Sequence, residues 1–93
     1  MAATHTPTCN PVLITVSGTS DNSIDLSKIL RGSEVMIEWV SGTAVKFNTM
    51  GVIANASATL NSTQTKLILS VQKNDYLYCK GGAGSETFIL TAL

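Results

Sequence analysis

This 93-residue chain is poor in the side chains that most metal sites and catalytic centres require: it has one histidine and two cysteines. A structural zinc site takes four Cys or His ligands, usually in paired spacings. A blue-copper site takes two His and one Cys. Both fall short of ligands here, so no metal and no other cofactor is expected. His5 and Cys9 are close in sequence, but a Cys–His nucleophile needs an oriented base and an oxyanion hole. The segment that carries them is a proline-containing terminus. The acids Asp21, Asp25, Glu34, Glu38, Asp75 and Glu86 fall mostly at turns or on outward strand positions. They are expected to be solvated surface rather than paired acid–base groups. No catalytic residue is assigned, and the chain reads as a non-enzyme.

Charge is scarce as well. Charged residues make up 13% of the chain, against about 25% in an average globular protein. The six basic residues, Lys28, Arg31, Lys46, Lys66, Lys73 and Lys80, are scattered and matched by six acids. A surface that tracks phosphates needs them clustered, so nucleic acid is not an expected partner. No apolar run approaches the ~18 residues of a membrane-spanning helix, and no membrane partner is expected. The opening MAATHTPTCNP lacks the basic and apolar regions of a secretory leader. The expectation is a chain made in the cytoplasm and left unprocessed, in which the glycosylation-like Asn55-Ala56-Ser57 and Asn61-Ser62-Thr63 are chance matches.

Ser, Thr and Asn take the place of the missing charge. Hydroxyls and amides can be buried against another protein at lower desolvation cost than charges, and a net charge of zero gives little colloidal repulsion. Ninety-three residues form one domain with a thin stability margin. These features point to a subunit of an assembly, with a homo-oligomer expected.

The positive signal is alternation with a period of two, the pattern of strands with unlike faces. Residues 12–17 place Val12, Ile14 and Val16 on one face. A short extended piece at 23–27 turns Ile24 and Leu26 inward, and a single helical turn over 26–30 is compatible with the sequence. Strands are expected at 34–40 (Val35, Ile37 and Trp39 on one face), 43–48 (Val45 and Phe47 inward, Lys46 outward), 51–54 (weak) and 65–71. The final stretch reads as a β-hairpin. Residues 75–80 set Tyr76 and Tyr78 against Leu77 and Cys79. The link Gly81-Gly82-Ala83-Gly84-Ser85 is a turn, and residues 86–93 set Phe88, Leu90 and Ala92 against Thr87, Ile89 and Thr91. That link resembles a phosphate cradle, but such cradles precede a helix, and here a strand follows. Seven to eight short strands at a spacing of about ten residues predict an all-β, single small antiparallel sandwich or barrel over 12–93, preceded by an extended N-terminal arm over 1–11.

Three sets of residues remain as candidates. Arm residues His5, Thr6, Pro7, Thr8, Asn10 and Pro11 have no periodic apolar pattern. They read either as a disordered tail or as a strap lying on a neighbouring subunit. Cys9 and Cys79 read as two thiols, as a bridge between strands near each other in a sandwich, or as an intersubunit bridge through Cys9. Tyr76 and Tyr78 share a strand face and suit an interface. Together with Trp39 they also raise a sugar-stacking platform, although Trp39 shares its face with core residues.

Leu69-Ser70-Val71, Asn74-Asp75-Tyr76-Leu77-Tyr78, the Gly81–Ser85 turn and the closing Phe88-Ile89-Leu90-Thr91-Ala92-Leu93 together resemble the ending of small tailed-bacteriophage virion proteins. The resemblance covers about the last 30 residues, and the rest of the chain only in pattern. It implies a β-sandwich that decorates or cements a capsid, or sits at a neck or tail, with the major capsid protein or other virion proteins as partners and the virion as its location. It brings no catalytic residues and does not account for Cys9 or Cys79. A carbohydrate-binding or adhesive module is the rival reading.

Overall fold

A computed structural model describes residues 4–19, 22–48, 58–71 and 76–93. Eight strands follow in order: β1 (Val12–Thr15), β2 (Asn22–Asp25), β3 (Glu34–Ser41), β4 (Val45–Asn48), β5 (Ala58–Leu60), β6 (Lys66–Ser70), β7 (Tyr76–Gly81) and β8 (Thr87–Ala92). They form two four-stranded sheets, ordered β1-β8-β3-β6 and β2-β7-β4-β5, and every paired strand runs antiparallel to its neighbour. Two sheets with this order are the two interleaved Greek keys of a jelly roll. The all-β expectation holds, and the choice between sandwich and barrel falls to the sandwich.

The alternation seen in the sequence sorts the side chains. Ile14, Val35, Ile37, Phe88, Leu90 and Ala92 from one sheet meet Ile24, Val45, Phe47, Leu60, Leu77 and Cys79 from the other in a single buried cluster. Phe47 and Phe88 join the sheets edge to face, with ring centres 5.1 Å apart and planes at 84°, the geometry that aromatic quadrupoles favour. Leu26, whose carbonyl accepts from the N–H groups of Ile29 and Leu30 at 3.0 and 2.8 Å, anchors the expected helical turn between β2 and β3.

The final hairpin is a correction. β7 and β8 carry the expected faces but lie in different sheets, so 82–86 is a crossover from one layer to the other. Only β4 and β5 pair as consecutive strands. A five-residue glycine-rich link can return a strand beside its predecessor or across the sandwich from it. Both outcomes bury the same face, so the local pattern does not separate them. The weak strand at 51–54, the acceptor pattern at Asn55, Asp21 and the Lys73-Asn74-Asp75 approach to β7 lie outside the described residues.

The arm is extended, as expected, and from Thr4 onward it lies on its own sandwich. The His5 N–H donates to Ser23 O at 3.0 Å and the Asp25 N–H to His5 O at 2.9 Å, a parallel bridge along the outer edge of β2. This covers an edge that would otherwise present unpaired amides. Pro7 is buried. Asn10 then continues the ladder with its side chain: Nδ2 donates to Ala92 O at 3.1 Å, and Oδ1 accepts from the Ala92 N–H at 2.8 Å. In the β1–β8 register, with Val12 opposite Leu90, the backbone of Asn10 would face Ala92. Its carboxamide fills that role beside Pro11, which has no N–H to give.

Candidate functional site

The loops β1–β2, β3–β4 and β7–β8 meet at one end of the sandwich around Glu86, which is fully buried. The N–H of Ala83 donates to its Oε2 at 2.7 Å; those of Gly84 and Ser85 donate to Oε1 at 2.9 and 3.1 Å. The Thr43 hydroxyl donates to Oε2. Burial alone would push this carboxyl up. The donors from Thr43, Ala83 and Gly84 outweigh it and lower the carboxyl from 4.5 to about 2. The glycine-rich link is therefore an anion cradle without a helix, and the anion is the chain's own. This corrects the reading of Glu86 as solvated surface and of the link as a plain turn. A Cβ at Gly81 would overlap Glu86 Oε1, which is why the strand ends on glycine. The glutamate's position directly after the cradle was the available signal in the sequence.

The outer face of β2-β7-β4-β5 is polar and aromatic. Tyr76, Tyr78 and Lys80 follow one another along it on β7. In register, Asp25 lies opposite Tyr76, Ser23 and Asn48 flank Tyr78, Lys46 lies opposite Lys80, and Thr59 lies opposite Lys46. The Tyr76 and Tyr78 rings are half-buried and near-parallel, with centres 6.1 Å apart and a 30° tilt. At the Lys80 end of this row is an open depression of about 270 Å³ lined by Thr43, Ala44, Lys46, Lys80, Gly81 and Gly82. Trp39 does not join this platform. It lies on the inner side of the other sheet, packed against the core, and its Nε1 donates to Thr43 O at 3.4 Å.

The outer face of β1-β8-β3-β6 sets apolar side chains among Thr15, Thr87, Thr91, Glu34, Glu38, Lys66 and Ser70. Leu13 on β1 and Ile68 on β6 are 60% and 55% exposed. Leu13 shares its register row with the half-buried Ile89 and then with Glu38 and Lys66, while Ile68 shares the next row with the half-buried Met36 and Thr91. Val40, the extra residue of a bulge opposite Phe88 and Thr87, is 45% exposed. One ion pair, Lys66 Nζ to Glu38 Oε2 at 3.8 Å, crosses this face, and no other joins the described residues.

The remaining candidates are distributed as follows. Cys9 is exposed on the arm, and Cys79 is buried on the inner face of β7, with no bridge between them within the chain. His5 Nε2 faces Asn22 Oδ1 at 3.0 Å. The same Oδ1 accepts from the Ser17 N–H at 3.0 Å, while Asn22 Nδ2 donates to Ser17 O at 2.9 Å. This fixes the amide orientation and makes His5 the donor. Thr6, Thr8, Asn10 and Pro11 are exposed, and what the structure shows of the arm is contact within the chain. Among the described residues no group of three or more His, Cys, Asp or Glu gathers for a metal, and no helix is long and apolar enough to cross a membrane.

Comparison with protein-family models, with curated proteins and with solved structures finds no significant match.

Proposed function

We propose that this chain is a structural subunit that works by protein–protein contact through the outer face of β1-β8-β3-β6. The observation that carries this is the band of Leu13, Ile89, Met36, Ile68 and Val40 on an otherwise folded, satisfied sandwich. Exposed apolar side chains gathered on one sheet face, with Leu13 and Ile68 more than half exposed, are suited to being covered. The resemblance of the last third of the chain to small virion proteins supports a more specific role, a capsid decoration or cement protein of a tailed bacteriophage. Many copies on a symmetric lattice would add weak contacts into a strong one. The neck and the tail are the other virion locations consistent with the same surface.

The test is co-sedimentation of the purified chain with particles, for the parent and for Leu13→Lys/Ile68→Lys. The parent should sediment with the shell in fixed stoichiometry. The variant should stay in the supernatant while melting normally, because both side chains point to solvent. Equal binding by the variant would remove this face from the mechanism. Self-association without particle binding would replace shell docking by a homo-oligomer.

A further inference from the structure

We propose that the outer face of β2-β7-β4-β5 binds an acidic saccharide unit, with its carboxylate or sulfate between Lys46 and Lys80 and its ring against Tyr78. This site does not depend on shell docking, which uses the other sheet. Lys46 and Lys80 are direct cross-strand partners, both exposed, and both line the depression of about 270 Å³. Like charges directly opposite each other destabilise a sheet. Among the described residues neither lysine has an ion-pair partner. Of the carboxylates around this face, Asp25 lies opposite Tyr76 at the far end of the row and accepts from the Ser27 N–H, and Glu86 is held beneath the loop by Thr43 and three backbone N–H groups. An anion seated between the two ammonium groups relieves the repulsion and gains two charge-assisted hydrogen bonds.

The neighbouring residues specify what carries that anion. Tyr78 is two residues from Lys80 on the same face, and Ser23 and Asn48 flank it in register. Tyr76 backs it with a near-parallel ring. An aromatic ring in line with paired cations suits the apolar face and the acidic group of a pyranose. Two cations without a basic track do not suit a nucleic acid.

Titration calorimetry with digalacturonate and with a sulfated disaccharide tests the site and separates carboxylate from sulfate. A neutral disaccharide, inorganic sulfate and a single-stranded oligonucleotide serve as comparisons. At least one acidic sugar should bind, and the comparison ligands should bind at least about tenfold more weakly. Lys46→Gln/Lys80→Gln should weaken acidic-sugar binding by about tenfold or more with an unchanged or raised melting temperature. Tyr78→Phe should retain most of the binding, and Tyr78→Ala should lose it. Absence of binding by both acidic sugars overturns the proposal. So does binding that survives the double lysine substitution, or equal affinity for sulfate or the oligonucleotide.

Discussion

A carboxylate withdrawn from water and met by three N–H groups and a hydroxyl stays ionised, so Glu86 links folding to acid. Its folded value of about 2 lies below its ordinary 4.5. The unfolded chain therefore takes up the proton first as pH falls. The stabilisation is complete above about pH 4.5 and is lost as pH drops through about 2. Urea midpoints measured from pH 7 to pH 2 should fall across that window. Glu86→Gln should flatten the fall and lower stability at pH 7 by about 1–3 kcal/mol, because an amide cannot accept from all four donors. A parent whose midpoint is unchanged between pH 5 and pH 2 would contradict the cradle. Cys79 offers a second residue-scale test. Its thiol is buried and that of Cys9 is exposed. A maleimide should label Cys9 in the native protein and Cys79 only on unfolding, as read by mass spectrometry.

At the scale of elements, the arm and β1 share one task. Asn10 extends the β1–β8 ladder past Pro11 by both hydrogen bonds of its carboxamide. Asn10→Ala should cost about 1–3 kcal/mol in chemical denaturation, whereas alanine at the exposed Thr8 should change little. The strands themselves were legible from alternation: Ile14, Val35, Ile37, Val45, Phe47, Leu77, Phe88 and Leu90 all face inward as their spacing predicts. Strand partners were not legible. Period two states which side chains share a face but not which backbone lies beside them, and the β7–β8 link shows the consequence. The candidate surfaces divide in the same way. Tyr76 and Tyr78 share an outer face as the sequence predicts. The pairing of Lys46 with Lys80, 34 positions apart, needed the β4–β7 register.

For the whole molecule, one core joins the sheets through Phe47 and Phe88. Phe88→Ala should cost about 3–5 kcal/mol, a large share of the roughly 5–15 kcal/mol available to a domain. It should leave the chain largely unfolded at moderate temperature, as circular dichroism would show. The two outer faces differ in chemistry: one exposes Leu13, Val40 and Ile68, and the other carries tyrosines and lysines. Substitutions on one should leave the function of the other intact, so Leu13→Lys/Ile68→Lys should bind acidic sugars as the parent does.

The sequence by itself determined an all-β chain with a two-faced strand pattern and little charge, because periodicity and composition are local quantities. The tertiary structure alone decided that the sheets interleave as a jelly roll, that the arm closes an edge of its own domain, that the glycine loop grips Glu86, and that two distant lysines stand side by side. Each of these depends on which segments meet in space, and a jelly roll brings together strands far apart in the chain.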